Sequence, residues 1–282
     1  MKIYIPYIAL CLLLLACSHK TIRTGSNHVQ LFNNKDLSNW DVYIGPGLDV
    51  DGKHRADIPA LGLNPVQQVF VVSDLDGKKV IHITGERFGG ISTKAEYENY
   101  HFRCKFKWGT HKYAPKDKAR MDSGILYHAV GPHGVDWGFW MRSQEFQIQE
   151  HDCGDYWGLD RASFDIHAIK NEKGDFIYDP KGNVFTFNID NKEVGRHCAK
   201  NMDADLPTGE WNTIDLYCFG GTAVHMVNGK VNLVLLNSRH IKDGIETPLT
   251  KGKIQIQSEG AEVYYTDMTL EKINKLPEGL IQ

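Results

Sequence analysis

The sequence predicts an all-β fold, a sandwich of two antiparallel sheets with one sheet concave and lined by polar groups. Three observations carry this. Short runs of alternating apolar and polar residues recur along the chain, separated by turn signals such as Asp76-Gly77-Lys78 and Asn228-Gly229. No helical period is sustained except over Ile273–Leu276. One stretch, Glu145–Gln149, sets Phe146 and Ile148 on one strand face and Glu145, Gln147 and Gln149 on the other.

In chain order, the first sixteen residues carry an early lysine, a short apolar run and the ending Leu14-Leu15-Ala16 before Cys17. This reads as a secretory signal ending in a lipobox, too short to span a membrane, with cleavage before Cys17 and lipid on its thiol. Residues 17–28 are a polar tether, and residues 29–282 form a single sandwich domain. Ser18-His19-Lys20 places no acid directly after the cysteine, so the expected location is the periplasmic face of an outer membrane. The net charge of -3 supplies no basic footprint for nucleic acid. With Cys11 and Cys17 set aside, Cys104 and Cys218 point into the core by alternation, while Cys153 and Cys198 are candidates for a bridge in an oxidising compartment.

Val29-Gln30-Leu31-Phe32 opens the domain, with Trp40 as an anchor. The Gly-, Pro- and Asp-rich stretch from Asp41 to Val66 shows no period and is expected to be a long loop that shapes a site. Strands are expected at Val69–Asp74, Lys79–Thr84, Gly90–Lys94 and Tyr100–Trp108. In the last of these Phe102, Cys104, Phe106 and Trp108 alternate with Arg103, Lys105 and Lys107. Beyond Trp157 the pattern resumes at Asn183–Asp190, Glu210–Phe219, a hairpin through Asn228-Gly229, and two strands within Gly252–Leu270.

The stretch from Asp122 to Trp157 carries the chemistry. Glu145, Gln147 and Gln149 are planar hydrogen-bonding groups suited to hydroxyls, and Trp137, Trp140, Tyr156 and Trp157 bracket them with aromatic faces of the kind on which sugar rings stack.

Several blocks then add up: L-F-N-N-K-D-L-S-N-W, G-I-S-T-K, Y-E-N-Y-H-F-R-C-K-F-K-W, D-S-G-I-L-Y-H, E-F-Q-I-Q-E, E-W-N-T-I-D-L-Y, V-N-G-K and G-K-I-Q-I-Q-S-E-G-A-E-V-Y-Y-T-D-M-T-L. In this order, over about Val29 to Glu271, they resemble the 3-keto-disaccharide hydrolase domain family. The resemblance implies a concanavalin-like jelly roll and cleavage of 3-keto-glycosides. Asp122 and His128 stand where that family often has an amide and a guanidinium, and Lys105 where it often has an acid, which marks a distinct branch. A looser resemblance, to laminarinase-like glycoside hydrolases, rests on Glu145, Gln147 and Glu150. The neutral Gln147 replaces the aspartate that two-carboxylate chemistry uses to tune its neighbours.

A 3-keto group acidifies the hydrogen at C2, so the bond from C1 to the leaving oxygen can break by proton abstraction and β-elimination, followed by addition of water. Such a site needs a base, an acid and an oxyanion stabiliser. The candidate catalytic residues are Glu145, His128 and Glu150. Gln147, Gln149, Arg142, Lys94, Trp137, Trp140 and Tyr156 are candidates for substrate binding. No motif demands a cofactor, and a divalent cation near Glu150, His151 and Asp152 is left open. The expected partners are a glycoside or oligosaccharide and, through Cys17, a membrane. A classical glycosidase and a noncatalytic carbohydrate-binding sandwich are the alternatives.

Overall fold

A computed structural model of the protein describes residues 28–281; the signal, Cys17 and nearly all of the tether lie outside the described residues. Every strand pairing is antiparallel, and two sheets account for the named strands. One sheet runs in the order Phe176–Tyr178, Ala162–Lys170, Lys230–Lys242, Thr222–Val227, Asn212–Phe219, Tyr100–Lys112, Ala261–Lys272, Lys78–Ile83, Phe70–Leu75. The other runs His197–Cys198, Tyr156–Leu159, Arg142–Gln149, Asp122–Val130, Lys251–Ser258, Gly89–Thr93, Trp40–Ile44, Gly62–Leu63. The fold is the two-sheet antiparallel sandwich that the alternating strands predict, the jelly roll that the family resemblance implies.

Alternation places the core. Phe102, Cys104, Phe106 and Trp108 turn inward from the first sheet and meet Ile125, Phe146, Ile148, Ile254 and Ile256 from the second, all fully or almost fully buried. Several polar groups caught between the sheets are paired with one another. Ser123 shares a 2.9 Å hydrogen bond with the Tyr265 hydroxyl, and the Tyr127 hydroxyl meets His225 Nε2 at 2.9 Å.

Three expectations fail here. Asp41–Ile44 belongs to a strand paired with Gly89–Thr93, so the expected long loop begins only at Gly45. The Asp-Val-Tyr-Ile run is too short for its period to register beside the Gly-Pro-Gly that follows. Ile273–Leu276 is not helical, with Pro277 close behind it. Cys153 and Cys198 are free buried thiols, not a bridge, as are Cys104 and Cys218.

The strands Lys251–Ser258 and Ala261–Lys272 are consecutive in the chain yet lie in opposite sheets, joined across the edge of the sandwich by Glu259-Gly260. Gly260 takes φ 82°, a left-handed turn that only glycine adopts without strain, and its carbonyl accepts the Tyr113 N–H.

Candidate active site

Phe146 and Ile148 are fully buried between the sheets, while Glu145, Gln147 and Gln149 line a cavity of about 220 Å³ on the concave face. Cross-strand pairing extends this row sideways. Glu145 stands between Leu126 and Trp157, Gln147 opposite Gly124, and Gln149 opposite Asp122. From the strand on the far side come Gln257 and, just past its end, Glu259. Gly124 is the centre of this floor. A Cβ there would collide with Gln257 Oε1 and Glu145 Oε1, so the bare backbone is what lets the two groups lean together over the sheet.

Lys116 enters from the loop before Asp122. Its ammonium donates to Asp122 Oδ2 and, at 2.5 Å, to Glu259 Oε1, while Gln149 Nε2 donates to Asp122 Oδ2 at 2.6 Å. A second cation, Arg196, donates to Asp136 Oδ1 at 3.0 Å. The walls are apolar. Trp140 packs with Phe88, Leu126, Phe139 and Leu159 in a small cluster separate from the main core, and its indole N–H donates to the Gly89 carbonyl at 3.2 Å. Trp157 stacks on His197 at 4.4 Å, with the Arg196 guanidinium 5.6 Å from its ring, and Trp137 stays 42% exposed at the rim.

Four carboxyl groups, on Asp122, Asp136, Glu145 and Glu259, share this cavity with two cations. Burial pushes Glu145 well above the usual carboxylate range. Repulsion from Glu259 and Asp122 adds to the shift, and Arg196 only partly offsets it. The Glu145 carboxyl accepts no hydrogen bond from a described residue that would hold its charge. Glu259 is pushed up to about 8, again chiefly by burial and then by Asp122, against the pull of Lys116. Asp122 is also raised by burial, with Lys116 opposing. Burial alone would lower Lys116, but Glu259 and Asp122 outweigh it and keep the ammonium charged. Carboxyls that hold protons near neutrality beside one that can ionise are the ingredients of acid–base chemistry.

Residues 27–271 match the family described as the 3-keto-alpha-glucoside-1,2-lyase-like domain. The chain belongs to this family. Membership makes it a carbohydrate-active protein. No curated protein matches it. Among solved structures it is similar to two proteins of Parabacteroides distasonis for which a glycosyl hydrolase activity has been suggested. One is 18% identical, with 88% of this chain and 94% of that chain covered and a TM-score of 0.46; the other is 19% identical, with 72% and 90% covered and a TM-score of 0.41. A carbohydrate-binding module from Bacillus subtilis is 9% identical over 71% of this chain and 90% of that chain, with a TM-score of 0.39.

The lyase-like domain brings together Glu145, Gln147, Gln149, Trp137 and Trp140 in one cavity, and turns the other expected residues elsewhere. His128 sits at a bulge, because Ala129 pairs with Lys253 and Leu126 with Gln255, leaving Tyr127 and His128 against a single residue. With φ 52° its ring drops into the core against Tyr100 and Tyr127, 1% exposed, and burial lowers its pKa to about 4 against the backbone of Leu249. Tyr156 lies opposite Phe146, hence on the core face, where its hydroxyl donates to Gln144 Oε1 at 2.7 Å. Glu150 accepts the Met121 N–H and the Thr208 hydroxyl and lies outside the cavity. Arg142 is held by Asp160 at 2.7 Å, and Lys94 donates to the Ser38 carbonyl. Neither lines the cavity.

Sequence reasoning passed over Lys116, Asp136, Arg196, Gln257 and Glu259 as site residues, and noted Asp122 only as a departure from a family pattern. A signal existed for two of them, since Lys253–Glu259 repeats the alternation of Glu145–Gln149. For a metal, one group among the described residues, His151, Asp203 and Asp205, brings ligand atoms within 4.8 Å of one another. It lies outside the cavity, and Asp152, expected beside it, pairs with Arg120.

Proposed function

We propose that the protein cleaves 3-keto-glycosides by abstraction of the C2 proton, β-elimination of the C1 substituent and addition of water. The observation that carries the reading is the pairing of Lys116 with Glu259, a charged ammonium 2.5 Å from a carboxyl poised near 8. Glu259 takes the C2 proton, having a pKa close enough to neutrality for both a useful ionised fraction and useful basicity. Lys116 lies beside it, where negative charge develops on the C3 oxygen. Glu145, still protonated, delivers its proton to the departing C1 oxygen from across Gly124. Gln147, Gln149 and Gln257 hold ring hydroxyls, and Trp137, Trp140 and Trp157 offer stacking faces. Water added to the resulting double bond takes the reverse route through the same two carboxyls.

The test uses purified protein with 3-keto-glucosides, their C2-deuterated forms and the unoxidised parents, with and without chelator. Turnover of the ketone alone, slowed by deuterium, is the expected result. Cleavage of an unoxidised glucoside would identify a classical glycosidase, and binding without turnover of any form would identify a carbohydrate-binding module.

A further inference from the structure

Glu145 and Gln257 come from different strands, Arg142–Gln149 and Lys251–Ser258, which flank Asp122–Val130 on its two sides. They meet over Gly124. Glu145 Oε1 and Gln257 Oε1 both stand where a Cβ on that glycine would be, so the two oxygens are neighbours. Both side chains are buried, at 5% and 1% exposure, and Gln257 Oε1 has no donor among the described residues. Two such oxygens repel when each presents only lone pairs and attract when one carries a proton. The amide carbonyl cannot carry it; the carboxyl can. Burial, with Glu259 and Asp122 close by, keeps Glu145 protonated well beyond the usual carboxylate range. A buried carbonyl that lacks a donor and a buried carboxyl that lacks an acceptor then satisfy each other.

We propose that Gln257 is the positioning residue of the acid: its amide carbonyl accepts the hydrogen bond of the Glu145 carboxyl and holds the proton on that group over Gly124. The role rests on the proposed reaction, in which Glu145 gives its proton to the departing C1 oxygen; the hydrogen bond itself does not. Once the proton has left, a carboxylate faces the Gln257 carbonyl with no donor between them. That contact favours return of a proton to Glu145, which the water adding at C1 supplies, so the acid is reset within the same turnover. The Gln257 amide keeps its N–H groups for a ring hydroxyl.

Glu145 can be titrated without substrate, by carboxyl carbon NMR of protein labelled at glutamate, with its signal assigned through Glu145→Gln. Gln257→Met, which fills similar space without an oxygen acceptor, should lower the midpoint by about one pH unit, the worth of one neutral hydrogen bond. Gln257→Asn, which keeps an amide but draws its carbonyl back by a methylene, should lower it as well. Gln147→Met, the matching change on the other side of Gly124, should leave it in place, which a general loosening of the floor would not. With a 3-keto-glucoside, the high-pH limb of kcat/KM should move down with the midpoint in both Gln257 variants. An unchanged midpoint in either folded Gln257 variant, a rise, which would mean that the amide turns its N–H toward an ionised Glu145, or an equal fall in Gln147→Met would each overturn the proposal. A wild type that turns over no 3-keto-glucoside while the midpoints move as stated would overturn the proposed reaction and leave the hydrogen bond standing.

Discussion

Glu145 and Glu259 differ in what holds them, and that difference sets their separate behaviour. Glu145 has no hydrogen bond from a described residue to hold its charge, so Glu145→Gln keeps shape and removes only the proton that it is proposed to deliver. Turnover of a 3-keto-glucoside is expected to fall by about 10²–10⁴ with little change in substrate affinity, measured by single-turnover kinetics and equilibrium binding. Glu259 titrates near 8, so kcat/KM is expected to rise with pH through a midpoint close to that value. Glu259→Gln should abolish that limb. The same shift acts oppositely on stability. The folded protein keeps a proton on Glu259 that the unfolded chain releases above 4.5, so stability is expected to decline as pH rises from about 4.5 to about 8. Urea midpoints across that range, in wild type and Glu259→Gln, check it. At this scale the sequence was readable wherever a two-residue period governs. It separates Phe146 from Glu145 without error, and the same rule keeps Tyr156 and Trp157 from sharing a face, so only one of the two can serve as a platform. It was unreadable at His128, because a bulge leaves no trace in composition, and at Lys116 and Arg196, because nothing in a loop fixes where a long side chain points.

Among the elements, Asp122–Val130 is the strand on which the cavity is laid out, and its most informative residue is the one without a side chain. Gly124 does not take a positive φ, so its backbone tolerates alanine. The atoms in the way of a Cβ are the ends of Gln257 and Glu145, which can move aside. Gly124→Ala is therefore expected to cost about 1 kcal/mol or less, roughly 2–4 °C in melting temperature for a domain of this size. Its turnover should nevertheless drop about tenfold or more as the two groups are prised apart. Calorimetry beside a rate assay separates the two effects. Strand positions were legible from alternation and turn residues. Strand neighbours were not, since Lys251–Ser258 pairs with both Gly89–Thr93 and Asp122–Val130, far away in the chain.

For the whole molecule, the two-sheet architecture follows from the sequence because many half-apolar strands have one economical way to hide their faces. The membrane address is a separate matter, carried by residues outside the described part. If Leu14-Leu15-Ala16-Cys17 is a lipobox, the protein is expected to partition with membranes until detergent is added, and Cys17→Ser to be released into the soluble fraction without incorporating labelled fatty acid. Fatty-acid labelling of the Cys17→Ser protein would reject the anchor.

The connection at Glu259-Gly260, whose two flanking strands lie in opposite sheets, has a consequence for how the protein fails. Because one arm lies in each sheet and the proposed base sits at the bend, the catalytic group is not mounted on a flap or a peripheral loop that can loosen while the rest holds. Opening that bend means separating central strands of both sheets at once. The expected signature is a single denaturation curve, in which enzymatic rate and tryptophan emission are lost at the same urea concentration. An activity midpoint well below the spectroscopic one would show that the site loosens first; coincident curves would make catalytic rate a direct gauge of the folded fraction.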